Sequence, residues 1–275
     1  MNLYEFPPIA AVIDGAYAVL AWLASALEPL AGAAGAALAV VVLTLAVRAA
    51  LIPAALAQAR GERDRLRLAP KLAELQRKHA KHPERLQRAM MDLYASERVS
   101  PLAGCLPALV QAPVISVVYA LFILPTVNGH PNDLLTHTVF GVPLGSSFAH
   151  AVGTGTLTPA LIAVTAALVL VAVVVGELTR RMMRAQQAGA ASGAASAGSA
   201  GSAAAQSARS DASPALPIAA LHRVAAVLPF LTAVIVLFVP VAAGLYLAVS
   251  ITWTLAQRAI LRRTVIDPPA APAIA

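Results

Sequence analysis

Charge is what this chain has least of. Of 275 residues only 12% are Asp, Glu, Lys or Arg, and 59% are hydrophobic. A soluble domain averages about 25% charged and about 45–50% apolar residues. With a mean hydropathy of +0.75, the composition excludes an ordinary soluble globule and points to a membrane protein. The single cysteine, Cys105, excludes an intramolecular disulfide and any metal site built on several cysteines. Residues 1–30 contain no Lys or Arg, so the basic n-region of a secretory signal is not expected there.

Basic residues are also missing from two long stretches, 1–47 and 99–179. The twenty Lys and Arg are Arg48 alone, eleven between Arg60 and Arg98, five between Arg180 and Arg223, and Arg258, Arg262 and Arg263. The pI near 10.2 would suit nucleic acid, but where the charge sits matters more than its sum, and DNA is not an expected partner. Apolar runs of about 20 residues predict transmembrane helices, here over 34–57, 100–126 and 157–177. Lys/Arg-rich loops stay in the cytoplasm, so the basic segments flanking the second and third spans make those two go out and come back. The apolar stretch 216–258 is too long for one span and ends on Arg258, so it crosses twice, breaking at Pro240. An all-α polytopic protein with five spans follows, its N-terminus outside and its C-terminal tail, 259–275, cytoplasmic.

The remaining segments are helical or loose. In 10–30, Asp14, Ala21, Ser25 and Glu28 share one helical face and Val12, Val19, Leu23 and Leu30 the opposite one. That segregation predicts an amphipathic helix lying in the external interface over 1–33, with a further span as the alternative. Within 58–99, Leu68, Leu72 and Leu75, and then Leu86, Met90 and Leu93, recur at i, i+4, i+7 on either side of Pro83. A cytoplasmic hairpin of two amphipathic helices with a basic outer surface is predicted. Segment 127–156 carries Gly, Pro and Asn breakers and predicts an external loop. Segment 178–215 includes a low-complexity Ala/Gly/Ser run and predicts a disordered cytoplasmic linker.

Titratable groups are almost absent at depth, which argues against an enzyme. No Asp or Lys falls inside an expected span, and Glu177 stands at the cytoplasmic end of the third. His130, His137 and His150 are in the external loop, and His79 and His82 in the hairpin. Neither a carboxylate relay nor a Ser–His pair is available within the bilayer, and no cofactor or metal is implied. The polar groups that remain are Arg48 and Gln111, with the hydroxyls of Thr44, Ser116, Tyr119, Tyr246 and Ser250. Gln111 and the small hydroxyls also suit plain helix–helix contacts. Arg48 has two placements: it snorkels to the headgroups, or it lies in a hydrated pocket. The apolar run 49–57 that follows it pushes it deeper, where an arginine costs about 2.5–3.5 kcal/mol on insertion scales unless water reaches it.

"SPLAGCLPALVQAPVISVVY", residues 100–119, resembles the signature of YidC-type membrane protein insertases, the Oxa/Alb superfamily. Pro101, Gly104, Cys105, Leu106, Pro107, Gln111, Pro113 and Tyr119 fall on that signature. "PKLAELQRKHAKHPERLQRAMMDLY" (70–94) is similar to the family's cytoplasmic hairpin, and "LTLAVRAALIP" (43–53) to its first core helix. Pro229, Pro240, Tyr246, Ser250 and Gln257 fit its last two helices. Ser100, Leu247 and Ile251 depart from the pattern, which usually has Asn, an aromatic residue and Asn there.

The resemblance implies five helices around a hydrophilic groove that opens to the cytoplasm and sideways to lipid, with Arg48 as the groove cation. It implies a groove lined by Arg48, Thr44, Gln111, Ser116, Tyr246 and Ser250. The docking hairpin would present Lys71, Arg77, Lys78, Lys81, Arg85 and Arg88. The implied function is insertion and folding of nascent membrane proteins in a bacterial plasma membrane by a monomer without a cofactor. Its partners would be nascent chains, the ribosome, a Sec translocon or targeting receptor, and lipids. The competing expectation is a small transporter or channel, yet the chain has neither the internal repeat nor the selectivity ring those need.

Overall fold

Two prolines open the first helix, in the turn where a missing N–H leaves nothing unpaired. The computed structural model describes residues 7–79, 82–97, 99, 117, 120–122, 126–127, 130–196 and 230–266. Helix α1 covers Pro7–Ala31 and α2 covers Gly35–Ala50, joined by a 3-10 turn, Gly32–Ala34. Gly32 reverses the chain at φ +53°, a conformation that costs a glycine little. The returning helix sets Gly35 against α1, where a Cβ would lie 3.1 Å from the Ala24 carbonyl oxygen and the Glu28 backbone.

The face of α1 that packs is neither of the two opposed in the sequence. Ile13, Leu20 and Ala24 are buried, with Tyr17 and Leu27 half-buried beside them, against Ala36, Ala37, Ala39 and Val40 of the same core. Val12, Val19 and Leu30 stay outward with Trp22, which is 68% exposed. Small residues on α2 are what let the two helices approach this closely.

Helix α2 ends at Leu51, and α3 runs from Ile52 to Lys78. The expected span 34–57 is therefore not one straight helix. Pro53 lacks an N–H and its ring crowds the carbonyl one turn earlier, which breaks the ladder there. Beyond the break, the last part of the apolar run and the first arm of the basic hairpin form one continuous helix. Helix α4, Pro83–Ser96, starts on its proline with Glu84 in the first turn. Leu68 is fully buried, and Leu72, Leu75, Leu86, Met90 and Leu93 are half-buried.

The described residues of segment 127–156 form short strands and a helix. Strands β1 (Thr126–Val127) and β2 (His130–Pro131) pair antiparallel, as do β3 (Thr138–Val139) and β4 (Val142–Pro143). The second hairpin turns through Phe140 at φ +50° and Gly141 at φ +77°. Helix α5, Phe148–Thr154, is capped by the Ser147 hydroxyl, which accepts from the His150 N–H, and stops at the left-handed Gly155. Leu134, Val142 and Leu144 join Leu121 and Phe122 in the same core as α1 and α2.

Helix α6 runs from Pro159 to Ser196, 38 residues, or about 57 Å at helical rise. It passes through the expected end of the third span at 177 and carries on, so 178–196 is helix and not disordered linker. Ala, Met, Gln and Arg are good helix formers, and low complexity does not cancel that. Helix α7, Leu231–Phe238, and α8, Val241–Leu261, meet at extended Val239 and Pro240. After α8 the chain widens into a π turn, Arg262–Ile266, which touches α3. Helices α6, α7 and α8 close around Leu168, Val236 and Ala248. Among the described residues, two helical stretches, Ala10–Ala50 and Pro159–Ala185, are long and apolar enough to cross a membrane.

Candidate functional site

Helix α2 has α1 on one side, and its position-to-position rotation of about 100° places Thr44, nine residues after Gly35, on the opposite side. Helix α2 also packs along α8. Thr44 is buried, and its Oγ1 donates to the Val40 carbonyl at 2.6 Å. Arg48 follows one turn later, half-buried in the last turn of α2. Among the described residues no carboxylate forms an ion pair with it.

Helix α8 contributes Tyr246 and Ser250, also one turn apart, 7% and 4% exposed. Among the described residues, neither the Tyr246 hydroxyl nor the Ser250 hydroxyl has a hydrogen-bond partner. A buried polar group left unsatisfied costs about 1–3 kcal/mol, and native interiors hold few of them. Their neighbours are satisfied locally: Thr252 and Thr254 donate to the Ala248 and Ser250 carbonyls, and Trp253 Nε1 donates to Gln257 Oε1 at 2.7 Å. The open hydroxyls are therefore a property of one face of α8, not of the whole helix. The packed pair α2 and α8 thus carries Arg48 and two buried hydroxyls that have no partner among the described residues. Gln111 and Ser116, the other groove candidates, lie outside the described residues. No group of His, Cys, Asp and Glu among the described residues could hold a metal ion.

The start of α8 is fixed by residues far earlier in the chain, between β4 and α5. The N–H groups of Val241 and Ala242, orphans at a helix start, donate to the carbonyls of Ser146 and Leu144 at 2.9 and 3.0 Å. Nothing in the sequence signals this cap, because backbone carbonyls carry no side-chain signature.

The hairpin cations divide into two kinds. Arg77, Lys78, Arg85 and Arg88 are exposed. Lys71, exposed as well, is committed to an ion pair with Glu97 just beyond α4, while Arg67 holds the second carboxylate oxygen at 2.9 Å. The Lys71 hydrogen bond and charge keep the Glu97 carboxyl below its ordinary range. Lys81 lies outside the described residues. Sequence reasoning missed Arg67 and Glu97, which come together only when the hairpin closes.

A family profile matches most of this chain, and individual relatives match parts of it. The profile of a family described as 60Kd inner membrane protein matches residues 27–268. A membrane protein insertase YidC of Clostridium perfringens is 38% identical over 89 residues, 32% of this chain and 37% of that protein. One from Janthinobacterium is 32% identical over 131 residues, 46% of this chain and 23% of the relative. One from Azotobacter vinelandii is 40% identical over 80 residues, 29% of this chain and 14% of the relative. Each match thus covers well under half of the relative's length. With its family profile covering the α2–α8 region and the hairpin alike, the chain belongs to the 60Kd inner membrane protein family, that of the YidC-type proteins.

Proposed function

We propose that this protein is a membrane protein insertase: it accepts the hydrophilic leading segment of a nascent membrane protein and releases the adjoining apolar segment into lipid. The observation that carries this reading is the pair of buried, unpartnered hydroxyls on α8, beside a helix whose half-buried Arg48 has no described counter-ion. In this reading five spans enclose a groove open to the cytoplasm: α2 with the start of α3, segment 100–126, α6, α7 and α8. The N-terminus is outside and the C-terminus inside, in a bacterial plasma membrane. The cap that Leu144 and Ser146 place on α8 closes the external end.

An acidic or polar head leaving bulk water is penalised strongly unless it is paired. Arg48 supplies the opposite charge, and the Tyr246 and Ser250 hydroxyls supply hydrogen bonds without needing to break any. Each methylene that the client moves into lipid returns about 0.8 kcal/mol, which makes release favourable with no covalent step. The exposed cations Arg77, Lys78, Arg85 and Arg88 receive the nascent chain or the ribosome, and a Sec translocon or targeting receptor is a further partner.

Insertion of an acidic-headed client, followed by protease protection, tests this. Arg48→Lys keeps most activity and Arg48→Glu loses it. Equal activity in both variants and the unaltered protein would overturn the role given to Arg48.

A further inference from the structure

One face of α8 continues past the two open hydroxyls. Tyr246, Ser250, Trp253 and Gln257 follow at i, i+4, i+7 and i+11, a spacing that keeps all four on one helical stripe. Gly244 and Ala248, on the opposite side, meet Leu168 of α6 and Val236 of α7. The stripe therefore looks away from α6 and α7. Its first member, Tyr246, shares a core with Ala36, Ala37, Ala39 and Val40 of α2, along which α8 packs. Burial falls along the stripe: Tyr246 and Ser250 are buried, whereas Trp253 and Gln257 are half-buried.

We propose that Trp253 is a further client-binding residue: its ring seats the first apolar side chain behind the client's polar leading segment. The inference rests on the insertase reading and adds what that site selects. The one polar group of the indole is already used, since Nε1 donates to Gln257 Oε1 at 2.7 Å. Among the described residues no cation stacks on the ring. What Trp253 has left to offer is apolar ring surface, which suits aliphatic and aromatic groups. A cation would also suit an aromatic face, but Arg48 stands at a similar depth and repels one. Ala36 and Val241, near the starts of α2 and α8, belong to one core. Arg48 and Trp253 each follow twelve residues later, about 18 Å along their helices.

The order along α8 fits a client that enters polar end first. Its head goes deeper, to the open hydroxyls of Ser250 and Tyr246, and its apolar part follows behind, at Trp253. Tyr246 and Trp253 are seven residues apart, about 10 Å along the helix, which an extended chain covers in about three residues. The site thus selects a client whose apolar segment begins within about three residues of its polar head. It reads the boundary between the two, not the head alone. Gln257 is a positioning residue: by holding the indole N–H it fixes the orientation of the ring.

The test uses the full chain in lipid nanodiscs with Trp22→Phe, which leaves Trp253 as the sole tryptophan. The probe is a synthetic peptide of two aspartates followed by a leucine-rich segment, with one 4-bromophenylalanine as contact quencher. Bromine at the third residue behind the aspartates quenches Trp253 fluorescence, and bromine at the tenth does not. In an insertion assay, Trp253→Ala slows a client of that close spacing about fivefold, the loss of about one aromatic contact. Trp253→Phe restores it. A client with six glycine and serine residues between head and apolar segment inserts into lipid equally well with Trp253→Ala, which a misfolded variant could not achieve. Gln257→Leu keeps the ring but frees it, so its fluorescence anisotropy falls and the dependence on bromine position shrinks. Quenching that ignores bromine position, or an equal loss for both clients, overturns this inference and leaves the insertase reading standing. A peptide that neither binds nor inserts overturns both.

Discussion

Glu97 joins the two arms of the hairpin: Lys71 and Arg67, both on α3, hold its two carboxylate oxygens just beyond the end of α4. The lowered pKa has a definite consequence for pH. A carboxyl titrating below its free value contributes its full stabilisation above the ordinary pKa of 4.5 and loses it as pH falls through the lowered one. Amide exchange over 83–96 is therefore flat from neutral pH to the ordinary carboxylate range, after correction for intrinsic rates, and accelerates below it. Glu97→Gln exchanges faster at neutral pH and loses the acid step. An acid step of equal size in that variant would mean that another group is responsible.

Two glycines in the N-terminal helices are expected to behave oppositely. Gly35→Ala puts a methyl group 3.1 Å from Ala24 and Glu28 backbone atoms, and backbone cannot give way as a side-chain tip can. Overpacking of this kind costs about 1–3 kcal/mol. Gly15→Ala meets nothing within 4 Å and gains about 0.5–1 kcal/mol of helix propensity. Thermal unfolding in detergent should lower the midpoint for the first and leave or raise it for the second. A Gly35→Ala protein as stable as the parent would mean that α1 does not pack this closely on α2.

What the sequence disclosed about the fold follows from how local each cause is. Pro83 and Pro240 act on their own backbone, so the division of the hairpin near Pro83, which the structure makes the first residue of α4, and the break before α8 were legible. The same rule applied to Pro53 would have placed the break at Leu51, but the unbroken apolar run hid it. The seam Ile13–Leu20–Ala24 was illegible because most faces of α1 are apolar, and only the partner α2 selects one. The stretch 178–196 read as linker because of the low-complexity Ala/Gly/Ser run that begins at 185, although alanine alone is enough for a helix. In the site, Thr44 and Arg48 share a face by simple period, whereas the open hydroxyls of Tyr246 and Ser250 depend on what α8 meets. Glu97 and its partners stand 26 and 30 residues apart, beyond any periodic signal.

Phe140 is a local exception to backbone preference. It sits 83% exposed at the tip of the β3–β4 hairpin with φ +50°, the first of two left-handed positions in a two-residue turn. Such turns favour Asn-Gly, and a non-glycine residue held left-handed costs about 1–2 kcal/mol. Phe140→Asn should therefore raise the unfolding midpoint, by up to about 1 kcal/mol of stability. Loss of stability instead would mean that the aromatic ring is buried against something, such as a lipid surface, and outweighs the strain.

Tyr246→Phe and Ser250→Ala separate stability from function. Each removes a buried hydroxyl that has no partner among the described residues, so each deletes an uncompensated desolvation cost of about 1–3 kcal/mol. A hydroxyl with no partner in the fold is lost without destabilisation. The double variant should thus unfold at the same midpoint or higher. If the hydroxyls receive a polar client segment, the same variant inserts acidic-headed clients more slowly, by about fivefold for one lost net hydrogen bond of about 1 kcal/mol. Clients with purely apolar leading segments should be unaffected, because they bring nothing to bond. A variant that is both less stable and uniformly slower would mean that these hydroxyls are structural, bonded to groups of the fold itself, and that client recognition lies elsewhere.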